Sequence, residues 1–85
     1  MVKVRVAFVV DESWDNEVSA IFDEAWCEGC NASYAHVGQH GPCDKEWAVG
    51  CREATPEEYA NLLKEMEELV GYTVEIVELK NIHWF

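Results

Sequence analysis

The sequence predicts a small α+β domain, an antiparallel or mixed sheet of three to four strands with one main helix (residues 56–70) packed on it. Three observations carry this. Val2, Val4, Val6, Phe8 and Val10 recur at the two-residue period of a strand, with Lys3 and Arg5 on the opposite face. Residues 55–71 run from a helix-start signal to a glycine stop, with an apolar stripe at helical spacing between them. Residues 31–37 and 73–79 are short, strand-like runs bounded by turn residues.

Eighty-five residues make one domain, 1–85. The hydrophobic fraction is 49%, with four Trp, three Tyr and three Phe, enough for a core and too much for a disordered chain. At this size apolar burial and chain entropy nearly cancel. A metal, a disulfide or a partner subunit would therefore add noticeably to stability.

Taken in order, the first strand is apolar on both sides at its far end, where Ala7 and Val9 join the alternating residues. That is the pattern of an inner strand. Residues 11–16 form a polar turn around Trp14. Residues 17–26 fit two periods. Trp14, Val18, Ile21, Phe22 and Ala25 line up as on a helix, whereas Val18, Ala20 and Phe22 alternate as on a strand. A helix there gives a ferredoxin-like βαββαβ plait; a strand gives a hairpin with the first strand.

Glu28-Gly29 reads as a tight turn between Cys27 and Cys30. A short strand follows over 31–37, and Gly38, Gly41 and Pro42 then interrupt regular structure. Residues 44–49 suit a strand or a single helical turn closed by Gly50. The main helix has Thr55 as N-cap, Pro56 in its first turn, and Glu58 completing a capping box. Tyr59, Leu62, Leu63, Met66, Leu69 and Val70 make its apolar stripe, and Gly71 ends it. A strand follows over 73–79. The expected core is Val4, Val6, Phe8, Leu62, Leu63, Met66, Val74 and Ile76. The last four residues, Ile82-His83-Trp84-Phe85, either fold back on the domain or offer a contact patch.

Seventeen acidic residues against six Lys and Arg leave a formal charge of −11. Such a surface repels phosphate backbones and anionic lipid, which argues against nucleic-acid and membrane-surface binding. It suits a basic protein partner, a surface that imitates DNA, or simple solubility. The alternation in residues 1–10 is that of a strand rather than a signal peptide, and no run is long enough to span a bilayer. The expected setting is cytoplasmic and reducing, where clustered cysteines bind metal, act in redox chemistry or pack in a core more often than they form disulfides.

All four cysteines and two of the three histidines, His36 and His40, fall within residues 27–51. Cys27 and Cys30 form a Cys-x2-Cys pair, and His40 and Cys43 a His-x2-Cys pair. Three thiolates and one imidazole make a closed, structural zinc set, with Cys51 or His36 as substitutes for one of the four. Gly29 and Gly41 let the chain turn beside each pair. A plait topology opposes this set, because it places the two pairs at opposite ends of the sheet; there Cys51 would lie near Cys30, as a disulfide or as free thiols. The cofactor expectation is therefore none or one structural Zn2+. Trp26-Cys27-x-x-Cys30 superficially resembles a thioredoxin dithiol but lacks the strand-to-helix setting that activates it. His36 or His40 with Cys43 could make a nucleophile–base pair, but no third group orients it. No catalytic set is complete.

Tyr34-Ala35-His36-Val37-Gly38-Gln39-His40, followed by Cys43 and then by Arg52-Glu53-Ala54-Thr55-Pro56-Glu57-Glu58-Tyr59, resembles a group of short bacterial proteins often encoded on phages and other mobile elements. The resemblance covers residues 33–77 and implies a setting more than an activity. It implies a strand-like 17–22 and leaves Cys27 and Cys30 outside the shared pattern. It also carries over Tyr34, His36, Gln39 and His40 as the polar residues of a binding surface, to which the apolar terminus adds Trp84 and Phe85. The bland alternative makes Tyr34 and His36 half-buried sheet residues and 38–40 a turn. The functional expectation is a small acidic accessory protein that binds another protein, as a host-modulating or anti-defence factor. A zinc-stabilised module and a small Cys/His-dependent enzyme are the alternatives.

Overall fold

The fold was analysed in a computed structural model that describes residues 2–13, 16–35 and 39–85. It is α+β: a mixed sheet with one dominant helix packed against it. Its elements are β1 (Val2–Asp11), β2 (Glu17–Cys27), β3 (Cys30–Ala35), β4 (Gln39–Cys43), α1 (Lys45–Val49), β5 (Arg52–Glu53), α2 (Pro56–Glu65) and β6 (Tyr72–Ile76). A π-helical stretch, Met66–Val70, continues α2, and a 3-10 turn, Leu79–Asn81, follows β6.

Strands β1 to β4 form an antiparallel meander in the order β4-β3-β2-β1. β5 and β6 share the other side of β1. β5 pairs antiparallel with its far end, Val10 opposite Arg52, and β6 pairs parallel with its first half, Val4 opposite Val74. Among the described residues the sheet thus has six strands rather than three or four. One extra strand is β4, which includes the Gly41-Pro42 pair expected to break regularity; it tolerates the proline because it is an edge strand, with one partner among the described residues. β6 stops at Ile76, short of the expected residue 79.

The ambiguous segment 17–26 is strand, so the ferredoxin-like plait is not formed. The two-residue period wins because β2 is covered on both faces: Ala20 and Phe22 are buried on one and Ile21 on the other. Asn16 takes the left-handed φ of 52° just before β2, a conformation Asn tolerates better than most residues.

The sheet divides the interior into two cores. On the first face Val4, Val6, Phe8, Ala20, Phe22, Ala32 and Tyr34 pack against Leu62 and Met66 from the helix. Phe8 stacks on Tyr59 with ring centroids 4.4 Å apart, a contact worth about 0.5–1.5 kcal/mol beyond the area it buries. Leu63 and Val74 are partly buried at the margin of this core, but Ile76 is 45% exposed, contrary to expectation. It lies at the end of an edge strand, beyond the cover of the helix. On the second face Ala7, Val9, Ile21, Cys43 and Ala48 pack against Ile82.

The capping box at the start of α2 forms as its residues predict. Thr55 Oγ1 accepts from the Glu58 amide at 3.3 Å, and Glu58 Oε1 accepts from the Thr55 amide at 2.9 Å. At the other end Gly71 adopts a φ of +92°, and its amide reaches Met66 O at 3.0 Å. That widened last turn lets the chain enter β6. Residues 44–49 resolve as a helical turn, capped by Asp44 Oδ1 on the Trp47 amide at 2.8 Å.

The C-terminal residues fold back over the second face. Asn31, wholly buried, holds them there. Its Nδ2 donates to Phe22 O at 3.0 Å and to His83 O at 2.7 Å, and its Oδ1 accepts from the Phe85 amide at 3.1 Å. Asp23 Oδ1 accepts from the His83 amide at 2.6 Å. Among the described residues no helix is long and apolar enough to cross a membrane.

Candidate functional site

The four expected zinc ligands do not come together. His40 and Cys43 are three residues apart on β4, and side chains alternate between faces along a strand. His40 therefore points to the helix-covered face, its ring against Tyr34 and Phe22, while Cys43 is buried on the opposite face beside Ala48. Cys27 and Cys30 sit at the β2–β3 turn, one position beyond the Asn31–Cys43 pair. They share an end of the sheet with Cys43 but not with His40. Among the described residues no group of three or more His, Cys, Asp or Glu converges on a point that could hold a metal ion. Of the two substitutes, Cys51 packs at the margin of the second core, and His36 lies outside the described residues.

All four cysteines are free thiols. Burial, with the neighbouring Asp44 charge second, pushes the Cys43 thiol up to about 12. Cys43 packs in the second core while His40 lies on the opposite face of the sheet, so these two do not meet as a nucleophile–base pair; His36, the other histidine considered, lies outside the described residues. Cys51 is raised by burial and then by Asp11. Cys30 is raised first by its hydrogen bond with Cys27 and then by burial.

The residues expected to form a binding surface fall into different environments. Tyr34 is fully buried, and its hydroxyl bonds the Glu65 carboxylate of α2, so it ties β3 to the helix and offers nothing to a partner. Gln39 and His40 are exposed on β4. His40 Nε2 lies 2.8 Å from Tyr72 Oη, so the coiled sheet brings residues of its two edge strands, β4 and β6, into contact across Phe22. Burial, followed by the Glu24 charge, raises the Tyr72 hydroxyl. Trp84 is half-buried on the second core, and Phe85 is 49% exposed. The described members of the set do not share one face of the sheet: His40 lies on the helix-covered face and Trp84 on the other.

A feature absent from the sequence reading lies along the β5–β6 side of the sheet. Phe8, Ala54, Pro56, Tyr59, Ile76 and Val77 line an open cleft of about 230 Å3, with the carboxylates of Glu53 and Glu78 at its rim. The cleft arises where β5 and β6, which meet β1 at different points, leave a gap beside Phe8. β6 has a strand partner on one side only among the described residues. Its Ile76 end is exposed, whereas its Tyr72 end is approached by His40.

The electrostatics of this side follow from how the few cations are used. Lys3 and Arg5 pair with Glu75, Arg5 also with Asp23, Lys64 with Glu68, and Lys80 with Glu78. Arg52 bridges Glu12 and Glu58 at 3.0 and 2.7 Å. With those cations engaged internally, the remaining surface is dominated by carboxylates. The one signal the sequence held was the residue count itself.

No protein-family model, curated protein or solved structure matches the chain.

Proposed function

We propose that this protein is a binding module that acts by engaging a basic protein, and that its docking site is the cleft beside Ile76 together with the open edge of β6. The observation that carries the reading is the combination in one place of an exposed apolar floor, an acidic rim and a strand with one strand partner among the described residues. An extended segment can add to such an edge through its backbone, while alternate side chains choose the partner. Here the floor of Phe8, Tyr59 and Ile76 favours an aliphatic or aromatic side chain. Glu53 and Glu78 favour Lys or Arg beside it. The resemblance to short proteins of phages and mobile elements supports a role in modulating a host component, in the cytoplasm.

The test uses the protein as bait in bacterial lysate, with two surface variants beside it. A partner that fits this reading is retained by the wild-type protein and by Leu69→Lys, which changes an exposed side chain on the π-helical stretch. Ile76→Glu loses it, and so does a wash at high salt, which screens the acidic rim. A partner retained equally by Ile76→Glu, or bound as well in high salt as in low, would defeat the proposal.

A further inference from the structure

The tip of the β2–β3 hairpin carries two thiols that the docking site does not use. Cys27 and Cys30 are direct partners across the Glu28-Gly29 turn, in which Gly29 adopts a φ of +85°. Directly opposed residues of an antiparallel ladder have Cα atoms about 4.5–5.5 Å apart, and a disulfide spans about 4.4–6.8 Å. Opposed side chains also leave from the same face of the sheet. Cys27 is also the leading cause of the rise in the Cys30 thiol, as expected for two adjacent sulfurs. The other two cysteines are placed differently: Cys43 is buried, and Cys51 is half-buried with its thiol donating to Trp47 O at 3.5 Å.

We propose that Cys27 and Cys30 form a reversible dithiol–disulfide couple that reacts with low-molecular-weight disulfides, Cys27 attacking and Cys30 resolving. Exposure assigns the roles, since Cys27 is open to solvent and Cys30 is partly covered. In the first step Cys27 gives its proton to solvent, and its thiolate attacks one sulfur of the small disulfide. A mixed disulfide forms and one small thiolate leaves. Cys30 then loses its proton and attacks the Cys27 sulfur, which closes the internal S–S bond and expels the second small thiolate. The protein loses two protons and two electrons, and the small disulfide becomes two thiols. A thiol-based reductant reverses both steps.

The position suits a switch better than a structural bond. Closing so short a loop removes little chain entropy, so the disulfide adds little to stability and reverses readily. The end of β2 is also the irregular part of the meander, with register shifts between Ile21 and Ala25 and between Ala25 and Cys27. Bridging the tip constrains this segment and the exposed Trp26 on it.

The experiment incubates the reduced protein with oxidised glutathione, quenches with acid, and reads the intact mass and the linked peptides. Wild type is expected to lose two hydrogens, with a Cys27–Cys30 link and no lasting glutathione adduct. Cys30→Ser accumulates the mixed disulfide on Cys27, and Cys27→Ser reacts about tenfold more slowly or less. Both side chains lie at a hairpin tip outside either core, so the variants keep the fold. Wild type that stays reduced, that retains the adduct on Cys27, or that links through Cys43 or Cys51 overturns the proposal. So does a Cys27→Ser protein that reacts as fast as wild type.

Discussion

The two faces of the sheet are closed by different means. The first is covered by a helix with a capping box, an apolar stripe and large side chains, and Met66 and Leu62 fill it from above. The second is covered by a single turn of helix and by the C-terminal residues, and a buried asparagine holds those residues in place. The first lid is cohesive by itself, since its own backbone hydrogen bonds are local. The C-terminal part of the second has no regular structure beyond one 3-10 turn, and it borrows hydrogen bonds from β2, β3 and β5. A stretch without local partners stays folded only if tertiary contacts supply them.

The largest effect is expected under the helix. Met66 is fully buried, and Met66→Ala should cost about 2–5 kcal/mol in urea unfolding, through lost burial plus the cavity left behind. Ile82→Ala on the second face should fall at the low end of that range, because the chain end can collapse into the space. Equal costs on the two faces would erase the distinction between them.

A smaller but more local effect is expected from Asn31→Ala. It removes three hydrogen bonds and leaves Phe22 O, His83 O and the Phe85 amide without that partner. The cost should be about 1–3 kcal/mol. Hydrogen exchange should quicken at the His83 and Phe85 amides while those of α2 keep their protection. If both regions lose protection together, the second face is not an independent lid.

The smallest effect concerns acid. Hydrogen bonds from Arg52, and next from the Thr55 amide, hold the Glu58 carboxyl at about 2, below its usual 4.5. A carboxyl depressed in the folded state contributes stability that is fully present above 4.5 and is lost as pH falls towards about 2. Arg52 is exposed and Glu58 partly so, so solvent screens the pair and the slope is modest. Arg52→Gln should lower stability slightly above pH 4.5 and converge with wild type near pH 2, so that the acid limb of a thermal-stability profile flattens. An unaltered limb would assign the acid sensitivity to other carboxylates.

How much of this was legible in the sequence differs between the regions. β1, the capped helix and its glycine stop are marked by local signals: alternation, a Thr–Glu capping pair and a residue suited to positive φ. They appear where those signals put them. Residues 17–26 satisfied both periods equally over their length, and only cover on both sides of β2 separates strand from helix. Ile76 has the look of a core residue, and its exposure depends on β6 lying at the edge. The zinc set failed for a geometric reason that spacing alone does not carry. His-x2-Cys brings two ligands together in a loop or turn, but β4 is a strand, where a three-residue step reverses the face.

The sequence by itself determined the fold class, the central strand, the helix with both its ends, and a surface dominated by carboxylates, because each depends on neighbours in the chain or on composition. Tertiary structure alone decided that Tyr34 is a core residue tied to Glu65, that Asn31 anchors the C-terminal residues, and that a cleft opens beside Ile76. The first two join residues far apart in sequence, from 31 positions for Tyr34 and Glu65 to 54 for Asn31 and Phe85. No local pattern encodes such pairings. They are set by which strand lies beside which, and by the two faces that a sheet presents once it is formed.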